Sequence, residues 1–155
     1  MRERLGRLAI VGMGPGDPEL LTLKAARIIG TTPVIAHFAK GGCRSHARTI
    51  AEGRLSPEAE ELRFEYPFTT ELDQHDARYP VAMNAFYDAT AQALAARLDA
   101  GKDVALLCEG DPFFYGSSIH VFERLAADYP CEIVPGITTM SACWSRAKLP
   151  MARGQ

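Results

Sequence analysis

A continuous apolar segment, Leu8-Ala9-Ile10-Val11, runs directly into Gly12, Gly14 and Gly16 at alternate positions, with Pro15 between the last two, and then into Asp17-Pro18-Glu19. An uninterrupted apolar run of this length fits a strand covered on both faces, not one with a wet side. Three glycines after it permit backbone conformations with positive φ and let a ligand approach the main chain, while proline stiffens the turn. Asp17 stands where an N-cap belongs, Pro18 at the first helical position and Glu19 in the first turn, where its charge suits the helix dipole. The stretch reads as buried strand, tight turn and helix start, with the turn as one wall of a small-molecule site. A tight turn that holds no ligand is the alternative.

The spacing excludes the commoner glycine motifs. A dinucleotide fingerprint needs its third glycine at position 17, where Asp17 would repel a pyrophosphate, and the second strand, in VIAHFAK (34–40), ends without a ribose-binding acid. No Gly-Lys-Ser/Thr follows, so a phosphate-binding P-loop fails as well. A nucleotide-binding oxidoreductase domain would share the α/β pattern but not these residues. With 155 residues and 47% hydrophobic content the chain suits one domain with a real core. A formal charge of −2 makes no basic field for nucleic acid, and no apolar run approaches the length of a membrane span. The amino terminus MRERLGR has no apolar h-region, so it is not read as a signal peptide. Cys43, Cys108, Cys131 and Cys143 lie far apart and read as reduced thiols of a cytoplasmic protein, neither a metal site nor a disulfide frame.

Strand and helix patterns then alternate. Apolar residues with helical spacing follow over 20–29 until Gly30-Thr31-Thr32-Pro33; a second strand is expected at 34–38 and a short helix at 44–52. That helix carries Arg44, His46 and Arg48, either a solvated charged face or a receiver for an acidic substrate. LRFEYPF (62–68) alternates as a half-buried strand, and the polar segment 69–78 is a long loop and candidate lid. A long helix is expected at 79–100, with Val81, Phe86, Ala89, Ala93, Leu94 and Leu98 as its apolar stripe and Gly101 as its stop. The strand 104–108 ends in Glu109-Gly110-Asp111-Pro112 before a helix at 116–127. A short strand at 131–134 ends in Pro135-Gly136-Ile137-Thr138-Thr139 before a helix at 140–148. Three strand-to-helix turns of like composition would all emerge at the carboxyl edge of a parallel sheet, where open α/β sheets bind ligands, which points to one shared site.

The runs VGMGPGDPELLTLK (11–24), CEGDPFFYGS (108–117) and VPGITT (134–139), in that order, resemble the three signatures of the tetrapyrrole (corrin/porphyrin) methylases, S-adenosyl-L-methionine-dependent enzymes of corrin and sirohaem synthesis. The resemblance spans nearly the whole chain. It implies a three-layer α/β/α fold with a five-stranded parallel sheet of order 3-2-4-1-5, and methyl transfer from S-adenosyl-L-methionine to a tetrapyrrole. It further implies a homodimer as the full-length enzyme, with neither nucleic acid nor membrane as partner. Carried over by position, Pro15 lies against the cofactor in the first loop; Glu109, Gly110, Asp111 and Phe114 line it from the second motif, and Thr138 and Thr139 from the third. Within the family, FAKGG, CEGDPFFYGS and HVFERLAADYP resemble the branch acting on C20 of precorrin-2, with the cobalt-factor II branch as the alternative.

Two departures bear on this reading. Members that methylate uroporphyrinogen carry an acid at the end of the second strand, where this chain has Phe38 beside His37. The role of proton acceptor therefore does not transfer, and the catalytic residues stay unassigned. His37 has a suitable ordinary pKa for removing the C20 proton, but a histidine at a strand end is also a common structural residue. Asp111 likewise has two readings, a carboxylate for a cationic donor or an N-cap for the following helix. The family also has a carboxyl-terminal domain closing the cofactor cleft. By that resemblance 1–148 is the amino-terminal domain and 149–155 the start of the linker, and a noncatalytic binding fragment is the alternative.

Overall fold

The computed structural model of the protein describes residues 4–68 and 75–154. Strands β1 (Leu8–Gly12), β2 (Val34–Ala39), β3 (Glu60–Glu65), β4 (Val104–Cys108) and β5 (Cys131–Val134) form one sheet in the order β3-β2-β4-β1-β5. Every neighbouring pair is parallel, with Leu8 opposite Val104 and Cys131, and Val34 opposite Val104 and Glu60. The crossovers carry α1 (Leu23–Thr31), α2 (His46–Ile50), α3 (Arg78–Asp99) and α4 (Ser118–Leu125), and α5 (Thr139–Ala147) follows β5.

Because successive strand residues point to opposite faces, each central strand feeds two cores. Leu8, Ile10, Val34, Ala36, Val104 and Leu106 pack against Met83, Tyr87, Leu94 and Leu98 of α3 and Val121 and Leu125 of α4. Ala9, Val11, Ile35, Ala105 and Leu107 pack against Ala25 and Ile29 of α1 and Ala47 and Ile50 of α2. All residues of β1 and β4 are buried, which is why their sequences are continuously apolar. Each large aliphatic side chain so covered contributes about 1.5–3 kcal/mol. The edge strand β3 alternates half-buried and exposed positions, with Glu61, Arg63 and Glu65 on its wet side, charges that discourage further strand pairing.

The three-layer fold and its strand order are those expected; several local details differ. Asp17 does cap a helix, accepting from the Glu19 N–H, but that helix is a single 3₁₀ turn, Pro18–Leu20. Thr22 then caps α1 separately through the Ala25 N–H at 3.1 Å, leaving Leu23 exposed. A side-chain oxygen at position 22 competes with continued helix, so the chain restarts there. α1 ends within the expected Gly30-Thr31-Thr32-Pro33 stop, with Thr32 as its C-cap, and α2 is shorter than expected, capped by Ser45. β3 begins two residues earlier than its alternation suggested and ends before Tyr66 and Pro67. In α3 the buried stripe is Met83, Tyr87, Thr90, Ala91, Leu94 and Leu98, and Val81 is 71% exposed. The expected stripe mixed two faces of the helix; the 83-87-90-91-94-98 series keeps the true period. Of the candidate lid, residues 69–74 lie outside the described residues, and α3 begins at Arg78. Among the described residues no helix is long and apolar enough to cross a membrane.

Candidate functional site

The parallel sheet brings the turns after β1, β4 and β5 to one edge, and backbone sterics lock them together. Gly14 and Gly110 form an antiparallel bridge, the Gly110 N–H donating to the Gly14 carbonyl at 2.8 Å and the Gly14 N–H to the Gly110 carbonyl at 3.3 Å. Both have positive φ, 74° and 60°, a region in which a side chain is strained. A Cβ on Gly12 would stand 2.6 Å from the Gly136 nitrogen and 2.7 Å from the Gly110 oxygen, and one on Gly136 would overlap the Gly110 carbonyl oxygen. The backbones of the three turns therefore touch one another, and side chains at these positions would drive them apart.

Asp111 completes the lock. Its Oδ1 accepts from the Phe113 N–H at 2.9 Å and its Oδ2 from the Gly136 N–H at 3.0 Å, joining the second turn to the third. It is not the cap of α4, whose N-cap position is Ser117 without a side-chain bond. The cap reading of Asp111 is therefore corrected. Thr138 does cap its helix, accepting from the Ser141 N–H at 3.2 Å.

Two cavities open at this edge. The first, about 260 Å³, lies between Pro15, Glu109 and Thr139 on the glycine-rich side and Arg44, His46 and Thr49 on the other. The second, about 500 Å³, runs along the ends of β2 and β4 and is walled by Phe38, Tyr66, Phe114 and Tyr115. Arg44, His46 and Glu109 line both, so the two are contiguous across those residues. A third, outer hollow of about 500 Å³ is shared by Phe114 and Thr138. Of the residues singled out in the sequence, Pro15, Glu109 and Thr139 thus face one cavity, Phe114 and Thr138 face neighbouring ones, and Gly110 and Asp111 stand behind them in the lock.

His37 is not brought to this space. It is 4% exposed, its Nδ1 has no hydrogen-bond partner among the described residues, and its Nε2 lies 3.8 Å from Glu61 Oε2 beneath α2. Burial pushes its pKa below the ordinary 6.5, against the pull of Glu61 and with the help of Arg48 and Arg63. A buried neutral imidazole that lines neither cavity fits the structural reading and not the proton acceptor. Arg48 is equally committed, with Nε and Nη2 on the Glu61 carboxylate at 2.5 and 2.8 Å, and that bond holds the Glu61 pKa below its usual range.

Tyr66 went unnoticed in the sequence. Its hydroxyl donates to Ser117 Oγ at 2.8 Å, its ring stacks on Phe38 at 5.4 Å, and burial raises its pKa well above the usual phenol range, so it remains a protonated donor at the cavity wall. The available signal was its position one residue beyond an alternating strand, on the half-buried side. Burial likewise pushes the Cys108 thiol up to about 12, leaving it unreactive although it borders the second cavity.

Comparison with known proteins gives a consistent set of matches. The family profile for Tetrapyrrole (Corrin/Porphyrin) Methylases matches residues 7–155. A precorrin-2 C(20)-methyltransferase of Sinorhizobium sp is 52% identical over 150 residues, covering 97% of this chain and 61% of that protein. A cobalt-precorrin-2 C(20)-methyltransferase of Salmonella typhimurium is 31% identical over 148 residues, covering 95% of this chain and 59% of that protein. The chain thus spans about three fifths of the length of these relatives. Among solved structures, uroporphyrin-III C-methyltransferase from Thermus thermophilus in complex with S-adenosylhomocysteine superposes with a TM-score of 0.62 at 28% identity, covering 96% of this chain and 50% of that one.

Proposed function

This chain belongs to the tetrapyrrole (corrin/porphyrin) methylases, and from that premise we propose that it carries the cofactor-binding layer of an S-adenosyl-L-methionine-dependent methyltransferase acting on C20 of precorrin-2 in corrin biosynthesis. The observation that carries the reading is the convergence of three glycine-bearing turns on one cavity edge, in a chain 52% identical to a relative of that activity. The lower identity, 31%, to the relative acting on the cobalt-containing substrate favours the metal-free one.

The residues present suit the methyl donor. Pro15 offers an apolar surface, Gly14 and Gly16 leave the main chain open to approach, and Glu109 sets a carboxylate at the wall of a cavity that would hold a cationic sulfonium. Thr138 and Thr139 at the start of α5, and Phe114 on the second turn, complete the proposed set, while Gly110 and Asp111 hold the turns in register behind it. The donor supplies an electrophilic methyl group, and the nucleophile is an enamine-like meso carbon of the reduced tetrapyrrole. The protein's task is then mainly alignment, which contributes up to about 7–11 kcal/mol when reacting groups are held in line. Phe113, Phe114, Tyr115 and Met140 form an exposed apolar rim, which suits a covering second domain, with 1–148 as the amino-terminal one.

Calorimetry of S-adenosylhomocysteine on this chain tests the reading. Weak binding at one site, lost on Pro15→Glu, is expected, because an open half of a two-domain cleft buries less of the ligand. A melting temperature raised by NAD and unmoved by S-adenosylhomocysteine would remove the chain from methyl transfer.

A further inference from the structure

The segment between β2 and α2, residues 40–45, is held in place from two sides. Arg63, on the wet side of β3, donates from Nη2 to the carbonyls of Cys43 at 2.7 Å and Lys40 at 3.3 Å, while its Nε binds Glu65 at 2.8 Å. On the other side the buried Ser45 accepts from the Arg48 N–H at 3.3 Å, and its carbonyl receives the Thr49 hydroxyl at 2.9 Å. Gly42, at φ 72°, makes the turn between them. A guanidinium spent on two loop carbonyls fixes the path of the backbone, and that path sets Arg44 and His46 on the boundary of both cavities.

The cations of this region divide by partner. Arg48 is bidentate on Glu61, and Arg63 is engaged with Glu65 and the loop. Among the described residues Arg44 makes no ion pair, although it is exposed and beside the cavity. Next to it the second cavity has walls of Phe38, Tyr66, Phe114 and Tyr115, aromatic surface suited to the apolar body of a tetrapyrrole macrocycle. An aromatic-walled cavity with a fork-shaped cation at its border matches a macrocycle that carries carboxylates.

We propose that Arg44, with His46 beside it, is a specificity-determining anchor for a side-chain carboxylate of the tetrapyrrole. The proposal rests on the methyl-transfer reading for its substrate class. A carboxylate also occurs on the methionine moiety of the donor, and the test separates the two sources.

Uroporphyrin, a flat octacarboxylate, serves as the probe, titrated by its Soret band against the wild-type chain and against Arg44→Gln, Arg44→Lys and Arg27→Gln. S-adenosylhomocysteine affinity is measured on the same proteins. Arg44 is exposed, so the variants should fold, and equal melting temperatures check this. Loss of one charge-assisted contact predicts a roughly tenfold weaker uroporphyrin affinity in Arg44→Gln, partly restored in Arg44→Lys because the charge returns without the fork. Arg27→Gln, on α1, and the S-adenosylhomocysteine affinity should stay within about twofold of wild type. Unchanged uroporphyrin affinity in Arg44→Gln would overturn the proposal. So would equal weakening by Arg27→Gln, which would reveal a diffuse charge effect, and so would a loss confined to S-adenosylhomocysteine, which would assign the carboxylate to the donor. A melting temperature raised by NAD and unmoved by S-adenosylhomocysteine would instead count against the methyl-transfer reading, and the uroporphyrin comparison is judged on its own variants.

Discussion

The carboxyl edge of the sheet has two unlike halves. At the ends of β1, β4 and β5 the shape is set by main chain: Gly12, Gly110 and Gly136 touch through backbone atoms, and one carboxylate, Asp111, spans two turns. At the ends of β2 and β3 it is set by side chains: Arg63 ties down a loop, Arg48 binds Glu61, and Phe38 and Tyr66 stack. A surface made of backbone keeps its shape under most changes of the side chains around it, which suits the methyl donor in the proposed reading. A surface made of side chains can change its preference residue by residue. The proposed division of labour, donor on the first half and tetrapyrrole on the second, follows from that contrast.

The largest effect should come from Gly136→Ala. Its new Cβ would overlap the Gly110 carbonyl and lie 3.0 Å from Gly12, and rigid backbone on both sides offers no relief. We expect a loss of about 3 kcal/mol, the top of the range for overpacking, read by denaturant titration. The matching change on the other half, Gly42→Ala, meets no atom within 4 Å and should cost only the left-handed conformation, about 1–2 kcal/mol. Equal losses at the two sites would erase the distinction between the halves.

Next in size is Asp111→Asn. Asparagine would be a mild change at a helix cap, but here both carboxylate oxygens accept backbone N–H groups, from Phe113 and Gly136, and an amide nitrogen cannot accept. One N–H loses its partner, for an expected loss of about 1–3 kcal/mol. A wild-type melting temperature in this variant would show that the second and third turns hold together without the bridge.

The smallest effect concerns the second half. His37 has a folded-state pKa below 6.5, so below that pH the unfolded chain takes up a proton that the folded chain refuses. Its contribution to stability is whole above pH 6.5 and is lost as the pH falls from there through the lowered value. Glu61, also lowered, acts in a separate window, losing its contribution only as the pH falls below about 4.5. Denaturant titrations between about pH 7.5 and pH 5.5 should show this slope in the wild type and a weaker one in His37→Leu. The same slope in both would place its origin elsewhere.

Much of this architecture is legible in the chain itself. LAIVG and VALLC are apolar without interruption because both faces are covered, and such a strand leaves the same trace wherever it occurs. The turns after β1 and β4 announce themselves through glycine, proline and acid because positive φ at Gly14, Gly16 and Gly110 and stiff entry restrict the choice of residue, whereas Gly136 in the turn after β5 answers to close backbone approach. The phase of α3 was less legible: it is amphipathic only weakly, and apolar residues on two faces left the choice to the packing partner.

Only tertiary structure could decide what a polar side chain does, since its role depends on what distant segments bring to it. Asp111 reads locally as a cap or a ligand contact; that it bridges to Gly136, 25 residues on, requires β4 and β5 to flank β1. Arg44 and Arg48 lie four residues apart with the same charge, and the fold gives Glu61 to one and a cavity wall to the other. Periodicity and turn chemistry act over a few residues and are written in the chain, whereas long-range pairing of charges and hydrogen bonds is settled by which strands lie side by side in the sheet.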